Sequence, residues 1–226
     1  MENLKIFIQA RVYSSRLPGK IFFNFFEESI IERIIRIAKK IRNNKNIYLL
    51  TGSKKDNLVL KKIAKKLKIN FFSGDEKNVL KRYCDLISSK KLINSNILRI
   101  TSDNYLIQPK ILKKMIKSFY NEKFQYSYIK PLSHYSGEIV SAKLLILNYK
   151  NLPSEKSKEH VTWDIRNNPK IKKKFYSSNY CNLNHSKKIC LDTISDLVFL
   201  KKIENLYPKL KNLDCINEIK KIQKNI

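Results

Sequence analysis

The stretch LKIFIQ-ARVYSSRLPGK, from Leu4 to Lys20, joins a short apolar segment to a loop rich in Arg, Ser, Pro and Gly. Leu4–Gln9 is typical of a buried strand, and residues 29–42, which follow the loop, are typical of an amphipathic helix. The apolar side chains of this helix recur at helical spacing: Ile30, Ile31, Ile34, Ile35, Ala38 and Ile41. The chain is therefore predicted to begin with a strand, a polar loop and a helix.

Strands and helices continue to alternate after this beginning. Further strands are predicted at residues 46–51, 69–73 and 96–101. Further helices are predicted at residues 56–67, 76–88 and 109–121, the last with Pro109 in its first turn. This alternation predicts an α/β fold with a largely parallel central sheet flanked by helices.

The part of the chain after about residue 122 is less regular. Strands are predicted at residues 126–129, 138–141 and 188–191, and helices at residues 157–167, 195–207 and 215–224. The chain has 226 residues, of which 42% are hydrophobic, so it suits one domain with a sizeable core. We predict a single domain over residues 1–226, with a small, less regular insertion at about residues 126–190.

Two polar segments follow predicted strands and are expected to lie close together. Residues 10–20 follow the first strand, and Ser102 with Asp103 follows the fourth. Ligands of parallel sheets bind beyond the carboxyl ends of the strands. Both segments are therefore expected to face one crevice.

The loop at residues 10–20 has the composition of a phosphate-binding segment. Arg11, Arg16 and Lys20 surround two serines and a rigid Leu-Pro-Gly turn. Guanidinium groups bind phosphate oxygens in bidentate fashion, and the backbone N–H groups of a tight loop add further donors. The loop lacks the Gly-x-x-x-x-Gly-Lys-Ser/Thr pattern of a P-loop. An ordinary basic surface loop is the alternative interpretation.

The composition sets limits on partners and location. With 47 Lys and Arg against 19 Asp and Glu, the formal net charge is +28, which attracts polyanions. The lysines are spread through nearly every predicted helix, which favours a solvated surface over a dedicated nucleic-acid site. The four cysteines show no Cys-x-x-Cys pairing, and there is no visible signal peptide or membrane span. We expect a cytoplasmic protein that binds no nucleic acid and does not insert into a membrane.

Five segments resemble, in the same order, the signatures of the cytidylyltransferases that activate acidic sugars. They are residues 10–20 (ARVYSSRLPGK), 74–83 (GDEKNVLKRY), 99–109 (RITSDNYLIQP), 159–169 (EHVTWDIRNNP) and 191–197 (LDTISDL). The sequence looks most like the spore-coat polysaccharide cytidylyltransferase branch and is also similar to the CMP–Kdo and CMP–sialic acid synthetases. The matches extend from about residue 4 to about residue 200.

This resemblance implies a Rossmann-like nucleotidyltransferase fold with CTP as donor and Mg²⁺ as cofactor. CMP would pass to an acidic sugar, or to a related acceptor that bears a phosphate or carboxylate, with release of pyrophosphate, in cell-envelope glycan synthesis. The residues expected to bind the nucleotide are Ala10, Arg11, Ser14, Ser15, Arg16, Lys20, Gly74 and Arg82.

The resemblance also implies catalytic and metal-binding residues. Arg11, Lys20 and Asp103 would be catalytic, and Asp103 and Asp192, each after a predicted strand, would bind the metal. A hard dication prefers carboxylate oxygens, so the chemistry agrees. Without the resemblance, a helix cap or turn former before Pro109 is the favoured interpretation of Asp103. For Asp192, a turn or cap beside Thr193 is as well supported as the metal role.

The acceptor side is expected within residues 126–190, which would also form the contact of a homodimer. The candidate residues are Glu138, Glu159, His160 and Arg166. Asn78, Ser102 and Ser136 depart from the family's pattern, which leaves a catalytically degenerate nucleotide-binding homologue as an alternative. A basic nucleic-acid-binding protein is the second alternative, favoured only by the net charge.

Overall fold

A computed structural model describes residues 3–225, which form nine strands and nine α-helices. The strands are β1 (Leu4–Gln9), β2 (Asn24–Phe25), β3 (Glu28–Ser29), β4 (Ile47–Gly52), β5 (Asn70–Gly74), β6 (Asn96–Thr101), β7 (Tyr126–Ile129), β8 (Glu138–Ser141) and β9 (Lys173–Tyr176). The helices are α1 (Ile30–Lys39), α2 (Val59–Lys66), α3 (Val79–Ser89), α4 (Pro109–Asn121), α5 (Ala142–Lys150), α6 (Glu155–His160), α7 (Trp163–Asn167), α8 (Ile194–Leu206) and α9 (Ile216–Lys224).

Seven strands form one sheet in the order β5-β4-β1-β6-β8-β7-β9. Strand β8 is antiparallel to both of its neighbours, and every other pairing in the sheet is parallel. The predicted α/β fold with a largely parallel sheet is therefore confirmed. The chain moves outward from β1 through β4 to β5 and then returns to place β6 on the other side of β1. This reversal of strand order opens a crevice at the carboxyl ends of β1 and β6.

Alternating side chains of the central strands fill two cores, one on each face of the sheet. In β1, Ile6 and Ile8 pack into the core under α1 and α4, while Phe7 packs into the core under α3. All three side chains are fully buried. A register shift of one residue would exchange the two faces, so burial fixes where the strand ends. It thereby fixes the position of the loop that follows Gln9.

Local sequence signals account for the helix boundaries that were predicted well. Helix α4 begins at Pro109, whose missing N–H is not needed in the first turn. Helix α1 begins after Ser29, which forms a reciprocal capping box with Glu32. Among residues 3–225, no helix is both long and apolar enough to cross a membrane.

Two predictions in the second half of the chain are wrong. The helix predicted at residues 157–167 is divided into α6 and α7, because Val161 between them has φ 53° and ψ −55°. The strand predicted at residues 188–191 is an irregular extended segment. The structure instead forms a strand at β9, which pairs in parallel with β7, and adds helix α5.

Candidate nucleotide and metal site

The loop at residues 10–20 is closed by its own backbone and by a neighbouring asparagine. Gly19 has φ 69°, a left-handed conformation that glycine adopts without strain, and its N–H donates to the carbonyl of Val12 at 3.0 Å. The N–H of Val12 donates to the side chain of Asn57 at 2.9 Å. These contacts hold the loop over the carboxyl end of β1, which is where the sequence places a phosphate-binding segment.

A cleft of ≈ 670 Å³ lies beneath this loop, at the carboxyl ends of β1 and β6. The structure brings to it most residues predicted to bind the nucleotide: Ala10, Arg11, Ser14, Ser15, Arg16, Lys20 and Arg82. Arg11 and Arg16 are exposed, and an exposed ion pair such as that of Arg16 is exchanged at little cost, so both guanidinium groups can turn towards an anion. The cleft therefore has the positive charge and the mobile donors that a triphosphate requires.

Asp103 and Asp192 converge on Lys20 at one end of this cleft. The Lys20 Nζ lies 2.7 Å from Asp192 Oδ1 and 3.8 Å from Asp103 Oδ2. Asp103 follows β6 as predicted, but Asp192 does not follow a strand. The N–H of Leu191 instead donates to the carbonyl of Asp103 at 3.2 Å, which ties the segment before α8 to the end of β6.

Three cations share the carboxylate of Asp192. In addition to Lys20, Arg16 Nη2 lies 3.2 Å from Oδ2 and Lys188 Nζ lies 3.1 Å from the same oxygen. Burial opposes ionisation of this carboxyl, but the hydrogen bond and charge of Lys20, followed by those of Lys188, hold the pKa of Asp192 well below its usual range. Asp192 is therefore fully ionised at neutral pH.

The donor set at this end of the cleft suits a hard divalent cation. Oδ1 of Asp103 is buried and, among residues 3–225, has no hydrogen-bond partner. An unpartnered buried carboxylate oxygen is costly, and a cation or a donor from a ligand would remove that cost. The described residues contain no group of three or more His, Cys, Asp or Glu side chains arranged to bind a metal. Two carboxylates are thus what the protein offers, and phosphate oxygens and water would complete the coordination.

A second, smaller cavity adjoins the cleft. It has a volume of ≈ 300 Å³ and is lined by three of the four predicted acceptor-side residues, Glu138, His160 and Arg166. The fourth, Glu159, lines the larger cleft. Asp103 lines both spaces.

Glu138 is the centre of a buried ionic cluster. Its carboxylate accepts hydrogen bonds from Arg99 at 2.5 Å, from the hydroxyl of Thr162 at 2.7 Å and from the hydroxyl of Tyr126. Arg166 Nη1 lies 3.7 Å from Oε1. Burial alone would raise the pKa of Glu138, but the charge of Arg99 and then the two hydroxyls hold it below its ordinary value.

The break between α6 and α7 positions two partners of Glu138. Val161 is fully buried in a left-handed conformation that is unfavourable for a β-branched residue. The Thr162 N–H donates to the carbonyl of His160 at 2.5 Å, which closes a γ-turn around Val161. The turn brings the Thr162 hydroxyl to Glu138 and starts the helix that carries Arg166. Strain of this kind is concentrated at functional sites.

Gly74 and Arg82 have structural contacts that the sequence did not indicate. Gly74 ends β5 and does not line the cleft; a Cβ there would lie 2.9 Å from the ring of Phe72 and 3.0 Å from Cγ of Arg82. Arg82 donates to the carbonyls of Asp75, at 2.9 and 2.7 Å, and Glu76, at 3.1 Å. Its guanidinium is therefore largely engaged in holding the loop before α3, and a nucleotide contact from either residue stays a prediction.

The three departures from the family pattern are accommodated locally. Asn78 caps α3 by accepting the N–H of Lys81 at 2.8 Å. The N–H of Ser102 donates to the carbonyl of Gln9 at 3.1 Å. Ser136 donates to the sulfur of Met115 at 3.0 Å and lines the smaller cavity. None of these contacts disturbs Asp103 or Asp192.

Several residues at the site were not singled out from the sequence. Lys188 contacts Asp192, Asn57 holds the loop at residues 10–20, and Trp163 and His134 line the smaller cavity. Burial lowers the pKa of His134, whose Nδ1 lies 2.9 Å from Asn104 Oδ1. Only Lys188 carried a sequence signal, since it is a cation four residues before a candidate metal ligand.

The comparison with protein families decides the classification. The family model described as cytidylyltransferase matches residues 6–224. The chain belongs to the cytidylyltransferase family. It is therefore a nucleotidyltransferase that uses CTP, as the sequence signatures predicted.

Individual relatives of this cytidylyltransferase agree. The spore coat polysaccharide biosynthesis protein SpsF of Bacillus subtilis (strain 168) is 32% identical over 178 residues, which cover 76% of this chain and 73% of SpsF. A solved cytidylyltransferase from Leptospira borgpetersenii serovar Hardjo-bovis superposes with a TM-score of 0.83 at 26% identity, covering 99% of this chain and 94% of its own.

A more distant solved structure shares the fold. A CMP:2-keto-3-deoxy-manno-octonic acid synthetase complexed with CTP superposes with a TM-score of 0.65 at 12% identity, covering 90% of this chain and 98% of its own. At this level of identity the match extends the fold assignment only.

Proposed function

We propose that this cytidylyltransferase transfers CMP from CTP to a small acidic acceptor, an acidic sugar or a related phosphate- or carboxylate-bearing compound, and releases pyrophosphate. One observation carries the proposal. Asp103 lines both the basic cleft and the smaller cavity, and it lies beside Lys20 and Asp192. A nucleotide in the cleft and an acceptor in the cavity would therefore meet at Asp103, with Asp192 on the nucleotide side.

The nucleotide half of the reaction is proposed for the loop at residues 10–20. Arg11 and Arg16, with the N–H groups of the loop, would hold the triphosphate, while Lys20 would neutralise charge that develops on it. Asp103 and Asp192 would hold Mg²⁺, which when bound supplies further neutralisation of the phosphate oxygens. Lys20 would then leave the carboxylates and turn to the phosphates.

The acceptor half is proposed for residues of about 126–190 within a single domain. An acceptor oxygen would attack the α-phosphorus of CTP, forming one P–O bond as the bond to pyrophosphate breaks. No protein nucleophile takes part in an in-line displacement of this kind, so positioning and charge supply the rate enhancement. The similarity to SpsF supports a product used in a cell-envelope polysaccharide.

The proposal is tested by pyrophosphate release from purified protein. CTP and Mg²⁺ are supplied with a panel of ulosonic acids and phosphorylated small acids, and ATP, GTP and UTP replace CTP in parallel. We expect release with CTP and at least one acceptor, and a loss of about 10²- to 10³-fold or more in Asp103→Asn, because an essential group that binds charge is removed.

Two results would contradict the proposal. Full activity of the Asp103→Asn enzyme would refute the metal assignment. CTP binding without pyrophosphate release across the whole panel would instead support the degenerate nucleotide-binding homologue.

A further inference from the structure

Arg166 has hydrogen-bonding capacity that the described protein does not use. Its side chain is only 14% exposed, yet within residues 3–225 its guanidinium donates no hydrogen bond. The Nη1 atom is buried without a partner. A guanidinium carries five N–H donors in a planar fork that matches a carboxylate or a phosphate. A half-buried arginine with unused donors is therefore ready for an anionic ligand.

Two neighbours restrain Arg166 without taking its donors. Glu138 Oε1 lies 3.7 Å from Nη1, close enough for attraction but too far for a hydrogen bond. The ring of Trp163 lies 5.2 Å from the guanidinium carbon, within the range of a cation–π contact. The side chain is thus positioned by charge and by stacking, and its N–H groups remain available.

Arg99 is the other arginine that lines the smaller cavity, and its N–H donors are used differently. Its Nη1 donates to Glu138 at 2.5 Å and its Nη2 donates to the side chain of Gln9 at 3.2 Å. These contacts occupy both ends of the guanidinium fork. The Nε of Arg99 is also buried without a partner, but both of its Nη groups are engaged, so Arg99 anchors Glu138. Arg166 differs because, among residues 3–225, no group of its guanidinium donates a hydrogen bond.

An anion bound to Arg166 in the smaller cavity would lie close to Asp103. Arg166 and Asp103 line the same space of ≈ 300 Å³, together with His134, His160 and Trp163. A volume of this size is at the lower end of the range for small-molecule sites. An anionic group on Arg166 would hold the rest of the acceptor close to Asp103, where the nucleotide half begins.

We infer that Arg166 binds the anionic group of the acceptor, and that Glu138 is a positioning residue that holds Arg166 for this contact and does not itself touch the acceptor. The inference rests on the proposed function and refines it. The shared ligand chemistry is a pair of anionic oxygens, from a carboxylate or from a phosphate.

The test uses Trp163, the one tryptophan of the chain, as a fluorescent reporter of the cavity. The protein is saturated with the α,β-methylene analogue of CTP and Mg²⁺, which fills the triphosphate half and prevents turnover. It is then titrated with pyruvate in one arm and with inorganic phosphate in the other. A saturable change with pyruvate, with phosphate or with both supports the inference, and the arm with the lower Kd identifies the chemistry.

Variants of Glu138 and Arg166 distinguish a loss of anion binding caused by a misplaced arginine from a loss caused by misfolding. In Glu138→Gln and Glu138→Asp we expect the Kd of the anion to rise by at least about tenfold, because displacing a positioned group by about an ångström costs up to about a hundredfold. The Kd of the CTP analogue should stay within about twofold in both variants. Glu138→Asp keeps the charge and so remains informative if Glu138→Gln does not fold. Arg166→Gln should abolish the fluorescence response.

Glu28→Gln is the matched control. Glu28 also lies between two arginines, 3.1 Å from Arg33 Nη1 and 2.9 Å from Arg36 Nε, but it lines neither the cleft nor the cavity. This variant should bind the anion as the wild type does.

The inference is overturned if neither anion gives a saturable change in the wild type. It is also overturned if the Glu138 variants bind the anion as tightly as the wild type, or lose the anion and the CTP analogue equally. Failure of the proposed function would look different. In that case the CTP analogue would not bind to the wild type, or acceptors would not release pyrophosphate, whatever the anion titration shows.

Discussion

Asp192 and Glu138 are both carboxylates paired with several cations, but those cations differ in their exposure to solvent. Asp192 lies in an irregular segment and attracts cations from exposed side chains, with Arg16 61% and Lys188 52% exposed. Glu138 lies in the central sheet, and its partners Arg99 and Arg166 are only 10% and 14% exposed. Lys20, the nearest partner of Asp192, is also only 12% exposed. The Asp192 cluster therefore combines one buried ion pair with two that water and ligands reach, whereas the Glu138 cluster is enclosed on all sides that these partners occupy.

This difference matches what each half would bind. A triphosphate and a metal bring large charges, so the side chains that receive them must exchange partners at little cost, as exposed ion pairs do. Breaking a buried pair is expensive, because it leaves a charge without compensation. The Glu138 cluster is therefore suited to fixing a geometry, and the Asp192 cluster is suited to changing one.

The largest effect we expect is a difference in kcat between variants of two lysines that both contact Asp192. Lys20 is 12% exposed and reaches both carboxylates, whereas Lys188 is 52% exposed and reaches Asp192 alone. Lys20→Met should lower kcat by about 10²- to 10³-fold, as loss of a positioned charge-stabilising group does. Lys188→Met should cost less than about fivefold, the range of an exposed ion pair.

Steady-state pyrophosphate release with each variant measures this difference. Equal losses in the two variants would contradict it, since they would show that contact with Asp192 alone decides activity. Asp103 would then have no special link to Lys20.

Much of the fold was readable from the sequence, because its signals are local. Pro109 marks the start of α4, and the short apolar run in Leu4–Gln9 marks β1. Strand β9 gave no such signal, since Lys173 and Lys174 begin it and only its pairing with β7 makes it a strand. Tertiary pairing of this kind overrides local propensity.

The parts of the site that lie close together in the chain could be predicted from the sequence, and the parts that lie far apart could not. The loop at residues 10–20 is one continuous segment, so its composition alone was enough to predict phosphate binding there, and the structure places it at the cleft. The partners of Glu138 come from separate strands and from the turn at Val161, and no spacing in the sequence relates them. The role of Asp192 likewise depends on a backbone hydrogen bond from Leu191 to Asp103.

An intermediate effect is expected in the pH dependence of stability. The folded protein holds the pKa of Glu138 below its ordinary value of 4.5, so its contribution is present above that value and is lost as the pH falls through the lower, folded pKa. Glu138→Gln should be less stable than the wild type by about 3 kcal/mol at neutral pH, since it leaves buried guanidinium charge uncompensated.

Urea unfolding at a series of pH values checks this expectation. The gap between wild type and Glu138→Gln should narrow as the pH falls from about 4.5 through the lower pKa of the folded protein, because the unfolded chain binds the proton at Glu138 before the folded protein does. Two parallel stability curves would show that the ionised carboxylate does not stabilise the cluster.

The smallest effect we expect is a difference in stability between two variants that each lose a single hydroxyl group, one from each side of the site. Thr162 is fully buried and donates to Glu138 at 2.7 Å, whereas Ser15 is exposed in the loop at residues 10–20. Thr162→Val keeps the shape but removes one hydrogen bond to a charged group, so the free energy of unfolding should fall by about 1.5–3 kcal/mol. Ser15→Ala should change it by less than about 0.5 kcal/mol. Urea unfolding of the two variants measures both, and a stability loss in Ser15→Ala equal to that in Thr162→Val would mean that the nucleotide half is as rigidly built as the acceptor half.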